Sequence, residues 1–191
     1  MTAERIDSQL MSVEDYLAWE DLQLERHEYI GGIIYAMAGG TTAHAALAMN
    51  VGIALGSRLR GKRCRPYGSD LRVRIEYPTH TRFYYPDLTV TCTQSPSQAV
   101  YHDEPAVIVE VISASTRRTD ELEKRDAYQT IPTLHVYILL DQEKPEAVVW
   151  RRGAEGFVRE VHSGFEATIE LPEIEARLPL AEVYEAVLPR A

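Results

Sequence analysis

The sequence lacks the features that place a protein in or across a membrane. It has no apolar run near the length of about 18 residues that a membrane-spanning helix needs. Its first residues, MTAERIDSQL, have neither the basic lead nor the apolar centre of a signal peptide. We therefore expect a soluble protein of the cytoplasm with no membrane partner.

Cysteine is also scarce. Cys64 and Cys92 stand in separate predicted strands, and no neighbouring cysteine or clustered histidine accompanies either of them. A zinc site needs such a cluster, so we expect none. In a cytoplasmic protein the two residues are interpreted as reduced thiols in the core.

Basic residues are fewer than acidic residues: the sequence has 20 Lys and Arg residues and 29 Asp and Glu residues, and the net charge is −9. Tight non-specific binding of nucleic acid by the whole surface is therefore disfavoured. The basic residues nevertheless cluster, and each cluster alone is typical of a solvated face. Two clusters that flank one candidate site favour a phosphate-bearing partner. The predicted nucleic-acid contacts are Arg58, Lys62, Arg63, Arg117 and Arg118.

A chain of 191 residues with 45% hydrophobic composition predicts one domain, residues 1–191. Hydrophobic periodicity and turn residues predict an α/β fold, with a central mixed sheet and helices early and late. The N-terminal part is a helix and a Gly31-Gly32 hairpin, and the C-terminal part contains a hairpin at GAEG. The predicted helices span about 12–21, 42–60, 116 or 119 to 130, and 180–188. The predicted strands span 70–77, with one wet face, 84–92, 105–113, 133–141 and 146–152.

One acidic residue stands inside an apolar run. The stretch PAVIVEVIS, residues 105–113, is apolar on both alternating faces, which is typical of a strand buried on both sides. Glu110 lies in its middle. Because an unpaired buried carboxylate costs roughly several kcal/mol, we expect a cation, a metal ion or a shifted pKa to accompany Glu110.

Further ionisable residues are candidates for the same site. Asp87 begins a predicted strand, and if that strand pairs with the Glu110 strand the two carboxylates converge. Lys124 and Tyr128 share one face of the following helix. Carboxylate oxygens suit Mg²⁺ or Mn²⁺, which would neutralise Asp87 and Glu110 and activate a water molecule. Lys124 would stabilise the transition state or act on the attacking water.

Glu110 and Glu28 also have structural interpretations. Glu110 could form a buried ion pair with Arg72 or Arg74. Glu28 precedes the Gly-Gly turn and could pair with Arg26 or cover the hairpin. In either case the carboxylate would stabilise the fold without a part in chemistry.

The remaining candidates have structural interpretations as well. Asp87 could cap backbone amides in a turn, and Lys124 could be solvated, as lysines on helices usually are. His44 stands at the head of a predicted helix, where a hydrogen-bonded core histidine is a common alternative to a ligand. Tyr128 could simply pack in the core.

An ordered set of motifs connects these residues to a known superfamily. The chain has YPD at 85–87, VEVIS at 109–113, and then Lys124 and Tyr128. In this order the motifs resemble the PD-(D/E)XK nuclease superfamily. The resemblance implies a restriction-endonuclease-like core in which Asp87, Glu110 and Lys124 are catalytic.

Within that superfamily the chain resembles the Uma-type family of restriction endonucleases. The family's early glutamate and glycine turn match HEYIGG at 27–32, its helix-start histidine matches His44, and its Ser/Thr-rich turn matches SASTRRTD at 113–120. The resemblance covers about residues 12–188. It implies that Glu28 is an accessory metal ligand beside Asp87 and Glu110, and that His44 and Tyr128 are accessory residues.

One position departs from the superfamily pattern, because Ile112 stands where the pattern has lysine. Lys124 is interpreted as its replacement. We expect a Mg²⁺- or Mn²⁺-dependent endonuclease that acts on nucleic acid, DNA more than RNA, and a homodimer if it cuts both strands. The alternatives are an inactive nuclease-fold module for assembly or regulation, and a metal-dependent hydrolase of a small phosphorylated molecule.

Overall fold

The computed structural model of the protein describes residues 10–37, 39–113 and 119–190. The helices are α1 (Val13–Glu20), α2 (Thr42–Leu59), α3 (Arg125–Tyr128) and α4 (Leu180–Val183), with a π-helical turn at Thr119–Lys124 and a 3₁₀ turn at Pro172–Ile174. The strands up to the Glu110 strand are β1 (His27–Ile30), β2 (Ile33–Ala36), β3 (Arg65–Gly68), β4 (Arg72–Glu76), β5 (Thr81–Tyr84), β6 (Leu88–Thr91), β7 (Tyr101–His102) and β8 (Pro105–Ile112). The later strands are β9 (Val136–Asp141), β10 (Glu146–Gly153), β11 (Gly156–Ser163), β12 (Thr168–Leu171) and β13 (Ala176–Pro179).

The two longer helices begin where their capping residues predict. Ser12 Oγ accepts a hydrogen bond from the Asp15 amide at 3.1 Å at the start of α1. Thr41 Oγ1 accepts one from the His44 amide at 3.1 Å at the start of α2. These bonds satisfy backbone donors that have no partner inside the helix. On α2, apolar residues recur every four positions from Leu47 to Leu59, and this stripe is buried.

Within the described residues the strands form three sheets. The central sheet has the order β11-β10-β9-β8-β6-β3 and is mixed, because β8 and β9 are parallel while the other neighbours are antiparallel. A five-stranded sheet has the order β2-β1-β5-β4-β7. Strands β12 and β13 form a small hairpin. The predicted α/β class with a central mixed sheet is confirmed.

Strand β8 is covered on both faces, which explains why its sequence is apolar at both odd and even positions. Val107, Val109 and Val111 belong to one core cluster together with the buried stripe of α2. Ile108 and Ile112 belong to a second cluster that also contains residues of the five-stranded sheet. Burial of each such side chain contributes about 1.5–3 kcal/mol to the free energy of folding. Glu110 has the parity of Ile108 and Ile112, so its side chain lies on the face toward the five-stranded sheet.

The predicted strand 84–92 is wrong as a single element. Strand β5 ends at Tyr84, β6 begins at Leu88, and the two strands belong to different sheets. Pro86 between them has no amide hydrogen for a sheet ladder, and Asp87 is a poor strand former. The YPD motif therefore lies in the crossover from one sheet to the other.

Two other helix boundaries differ from the prediction. The predicted last helix, 180–188, ends as an α-helix at Val183, and Ala186 has a left-handed φ of 57° that an α-helix does not contain. The helix after β8 is a π-helical turn followed by α3 and ends at Tyr128 rather than at 130. The alternative start at Thr116 lies outside the described residues.

Strand β4 does not have the wholly wet second face that its alternation predicted. The Arg72 side chain is buried, and its guanidinium lies over the rings of Tyr16 and Tyr85 at 5.7 Å. Cation–π contacts of this kind stabilise a buried arginine at a position where the alternation of the sequence predicts exposure.

The prediction of two reduced thiols is wrong, because Cys64 and Cys92 form a disulfide. Cys64 directly precedes β3 and Cys92 directly follows β6. These strands are antiparallel partners with Arg65 opposite Thr91, so the next residues outward face each other.

In the part of the chain that the structure describes, no helix is long and apolar enough to cross a membrane.

Candidate active site

Five ionisable side chains from five segments form one connected cluster beside β8. Glu28 comes from β1, His44 from the first turn of α2, Asp87 from the crossover before β6, and Glu110 from β8. Lys124 is the last residue of the π-helical turn. The residues that the sequence analysis singled out for catalysis and metal binding therefore lie together.

The predicted pairing of the Asp87 and Glu110 strands is confirmed, because β6 and β8 are antiparallel neighbours with Leu88 opposite Val109. The Asp87 amide donates to Glu110 Oε2 at 3.3 Å. The Val111 amide donates to Asp87 Oδ2 at 2.7 Å. Each carboxylate is thus fixed by a backbone amide beside the other, which orients both toward one point.

Glu110 finds its cation in Lys124. The Lys124 ammonium lies 3.4 Å from Glu110 Oε1, and the Tyr128 hydroxyl donates to the same oxygen at 3.1 Å. The alternative of an ion pair with Arg72 or Arg74 is wrong. Arg72 lies 3.4 Å from the Asp21 carboxylate, and Arg74 binds the Asp103 carboxylate through two nitrogens.

Lys124 is buried rather than solvated, with 8% of its surface exposed. Its ammonium lies 2.8 Å from Glu28 Oε1 and 5.6 Å from the centre of the Tyr84 ring. The alternative pairing of Glu28 with Arg26 is wrong, because Arg26 binds Ser69 and Asp70. Lys124 therefore bridges two carboxylates that come from different sheets.

His44 lies at the more exposed end of the cluster. Its Nε2 is 3.1 Å from Asp87 Oδ2, and the side chains of His44 and Asp87 are 24% and 15% exposed. Glu28, Glu110 and Lys124 lie deeper. A substrate in solution would therefore reach the cluster from the Asp87 side.

Two tyrosine hydroxyls surround the deep end of the cluster. Burial raises the pKa of Tyr128 well above its ordinary value, and the nearby Glu110 carboxylate raises it further. Burial also raises the pKa of Tyr84, against the lowering effect of Arg82. Both hydroxyls stay protonated at neutral pH and act as hydrogen-bond donors.

Sequence reasoning missed three residues on this side of the cluster. Arg82 donates to the Tyr84 hydroxyl at 3.1 Å, which in turn donates to Glu123 Oε1 at 3.2 Å. The prediction that Tyr84 opens the Asp87 strand hid its role, because the residue ends a strand of the other sheet. Tyr84 could have been found if the residues before Pro86 had been treated as a separate strand and its two faces examined one at a time.

Carboxylates are the commonest ionisable groups of the cluster. Within the described residues, three of them, those of Glu28, Asp87 and Glu110, lie around the ammonium of Lys124 and the imidazole of His44. Carboxylates gathered in a partly buried site suit a cation as an additional partner.

Three of the basic residues predicted to contact nucleic acid make contacts within the chain. Arg58 forms a two-point pair with Glu182 at 2.6 and 2.8 Å, which raises the Arg58 pKa. Lys62 donates to the Glu175 carbonyl, and Arg63 donates to the Cys92 carbonyl at 2.9 Å. Arg117 and Arg118 lie outside the described residues. A role of these five residues in nucleic-acid binding stays a prediction.

The described residues contain no group of three or more His, Cys, Asp and Glu side chains arranged to hold a metal ion. Mg²⁺ is commonly bound by one or two carboxylates, several waters and substrate phosphate oxygens. The hard oxygen donors of Asp87 and Glu110 suit it, and within the described residues Asp87 Oδ1 makes no hydrogen bond or ion pair.

A family model described as "Uma2: Putative restriction endonuclease" matches residues 13–181. Two proteins of Synechocystis sp. are similar to this chain. "Uncharacterized protein slr1290" is 33% identical over 148 residues, which cover 76% of each chain. "Uncharacterized protein sll1609" is 30% identical over 140 residues, which cover 71% of this chain and 77% of the relative.

A solved structure from Anabaena variabilis, described as "a putative nuclease belonging to DUF820", has a similar fold. The TM-score is 0.72 at 17% sequence identity, and the superposition covers 93% of this chain and 99% of the other. At this identity the likeness establishes the fold alone. It agrees with the expected nuclease-like core.

Proposed function

Because this chain belongs to the Uma2 family of restriction-endonuclease-like proteins, we propose that it is a metal-dependent endonuclease that hydrolyses phosphodiester bonds in DNA. The observation that carries the proposal is the cluster in which Asp87 and Glu110 are fixed by each other's backbone while Lys124 lies against Glu110. Two converging carboxylates and a buried ammonium are the groups that hydrolysis of a phosphodiester requires.

In this proposal Asp87 and Glu110 would hold one Mg²⁺ or Mn²⁺ ion. Bound there, the ion would supply Lewis-acid chemistry at the phosphate oxygens and a water molecule of lowered pKa near neutral pH. The three carboxylates gathered among the described residues of the cluster support this assignment. The backbone amides of Asp87 and Val111 support it as well, because each fixes the direction of one carboxylate. The resemblance implies that Glu28 is an accessory ligand, and its carboxylate lies 2.8 Å from the Lys124 ammonium.

The protein's own side chains then have distinct tasks. The Lys124 ammonium stabilises the negative charge that grows on the phosphate in the transition state. Tyr128 donates to Glu110 and holds the carboxylate in one orientation. His44 contacts Asp87 Oδ2 and so fixes the carboxylate at the exposed end of the cluster.

DNA is the proposed substrate, and two further expectations accompany it. A single site cuts one strand, so cleavage of both strands favours a homodimer, which light scattering coupled to size exclusion would detect. The predicted basic contacts Arg58, Lys62, Arg63, Arg117 and Arg118 would supply phosphate binding, and loss of those contacts would reduce the salt dependence of binding.

The test compares wild type, Asp87→Asn and Glu143→Gln on plasmid DNA, single-stranded DNA and RNA, with Mg²⁺, Mn²⁺ or EDTA. Glu143 is an exposed residue outside the cluster, so its variant controls for loss of one carboxylate. We expect metal-dependent cleavage of DNA by wild type and Glu143→Gln. Asp87→Asn should be folded and inactive, because asparagine can still accept from the Val111 amide but supplies no negative charge.

Two outcomes would overturn the proposal. Asp87→Asn that cleaves like wild type would remove the cluster from the reaction, and cleavage that survives EDTA would remove the metal. Absence of cleavage under every condition, with Mn²⁺ bound or not, would favour the nuclease-fold module that serves assembly. The observation that favours this alternative is Ile112, which stands where the superfamily pattern has its lysine.

A further inference from the structure

We propose that Glu28 is the positioning residue of Lys124 and not a ligand of the metal ion. This inference rests on the proposed nuclease function and assigns Glu28 a different task within it. It follows from which atoms the Glu28 carboxylate contacts and from the sheet to which Glu28 belongs.

The ammonium of Lys124 is closer to Glu28 than to Glu110. The distances are 2.8 Å to Glu28 Oε1 and 3.4 Å to Glu110 Oε1, and the three side chains are at most 10% exposed. Because the Coulomb attraction between two charges grows as their distance falls, Glu28 is the closer ion-pair partner, while the ammonium also donates a hydrogen bond to Glu110 Oε1 at 3.4 Å. Glu28 therefore holds the ammonium to one side of Glu110.

The five-stranded sheet supplies two contacts of the ammonium. Glu28 lies in β1, which is the neighbour of β5, and β5 ends at Tyr84. The Tyr84 ring lies 5.6 Å below the same ammonium. One carboxylate and one aromatic face of this sheet thus hold Lys124, while Asp87 and Glu110 belong to the crossover and to the central sheet.

Glu110 Oε1 already accepts a hydrogen bond from Tyr128 at 3.1 Å. Without Glu28, Glu110 would be the nearest carboxylate to the ammonium among the described ion pairs, and the ammonium would move toward the oxygens proposed to hold the metal. Glu28 thereby keeps Lys124 available to the phosphate and separate from the ion.

The test is a double-mutant cycle of Glu28→Gln and Lys124→Met, measured in the full-length protein. The two readouts are Mn²⁺ affinity by calorimetry and single-turnover cleavage at saturating Mn²⁺. Glu28→Gln should leave the Kd for Mn²⁺ within about 3-fold and lower the cleavage rate by about 10-fold or more. On the Lys124→Met background, Glu28→Gln should lower the rate no further, because the lysine it positions is gone.

The control is Glu173→Gln. Glu173 is a mostly buried carboxylate paired with Arg151 outside the cluster. This variant should lose stability without a change in rate, which separates a positioning effect from a general loss of structure. Glu28→Asp should recover only part of the rate, because the shorter side chain restores the charge but not the reach.

A fall in Mn²⁺ affinity in Glu28→Gln as large as the fall in Glu110→Gln would overturn the inference, since Glu28 would then hold the ion as a ligand does. Additive rate losses in the cycle would overturn it as well. If wild type cleaves nothing, the proposed function fails, but the cycle can still be measured from urea midpoints. Independent effects of the two substitutions on the midpoint would then reject the coupling of Glu28 and Lys124.

Discussion

The backbone amide of Asp87 donates to the Glu110 carboxylate, although 23 residues separate them in sequence. The bond exists because β6 and β8 are antiparallel neighbours and Asp87 immediately precedes β6. The carboxylate of Asp87 is bound in return by the Val111 amide at 2.7 Å. The orientation of both carboxylates thus depends on the pairing of two buried strands, which is among the most stable parts of a fold.

Glu110→Gln should weaken Mn²⁺ binding. Calorimetry on wild type should give saturable binding, and the variant should bind at least about 10-fold more weakly because a neutral amide is a poor ligand for a hard cation. Glu20→Gln is the matched control. Glu20 is also buried and hydrogen-bonded, to His27 and Tyr85, but lies outside the cluster. Equal binding by all three proteins would contradict the metal assignment.

Lys124→Met should destabilise the protein strongly. It leaves the carboxylates of Glu28 and Glu110 buried without their ammonium, and breaking a buried pair in this way costs about 3 kcal/mol. Urea unfolding at neutral pH measures the change. Lys144→Met, which removes a lysine paired with Glu146 at the surface, should cost less than about 1 kcal/mol. Similar losses in the two variants would show that Lys124 is not a buried partner.

Tyr128→Phe should weaken metal binding without disrupting the fold. It removes the hydrogen bond to Glu110 Oε1 and leaves the ring in place, so the free energy of unfolding should fall by only about 1 kcal/mol. Loss of an orienting partner should weaken Mn²⁺ affinity by about 10-fold. Tyr184→Phe makes the same chemical change at a buried hydroxyl that binds the carbonyls of Asp141 and Glu146, and it should leave the affinity unchanged.

Reduction of the Cys64–Cys92 disulfide should lower stability. The bond closes a loop with a sequence separation of 28, for which the free energy of unfolding should fall by about 3 kcal/mol on reduction. Thermal unfolding with and without dithiothreitol measures this. The Cys64→Ser and Cys92→Ser double variant should unfold at the same temperature in both conditions. Labelling of both cysteines in the unfolded, unreduced protein would show that the bond does not form.

The sequence predicted those features that depend on local pattern. The capping residues Ser12 and Thr41, the Gly-Gly hairpin and the bounds of β8 agree with the structure because each is determined by a few adjacent residues. The anomaly of Glu110 was visible for the same reason. A charge at one position of an otherwise apolar strand needs no knowledge of the remaining fold.

Features that depend on distant contacts were missed. Cys64 and Cys92 were placed in separate strands, but the pairing of β3 with β6 that brings them together could not be foreseen, because β3, RPYG, contains proline and glycine. The division between Tyr84 and Leu88 follows from which sheet each strand joins. The contact of Lys124 with Glu110 depends on a π-helical turn, a rare element that no propensity indicates.

The position of Lys124 between the two sheets also bears on how the protein folds. Glu28 and Lys124 are 96 residues apart in the sequence, and their contact joins the five-stranded sheet to elements packed on the central one. Each sheet could gain its backbone hydrogen bonds before this contact forms, since contacts of long sequence separation are slow to close. During refolding, the return of ion binding should therefore lag behind the return of circular dichroism, and the interval between them would report the docking of the sheets.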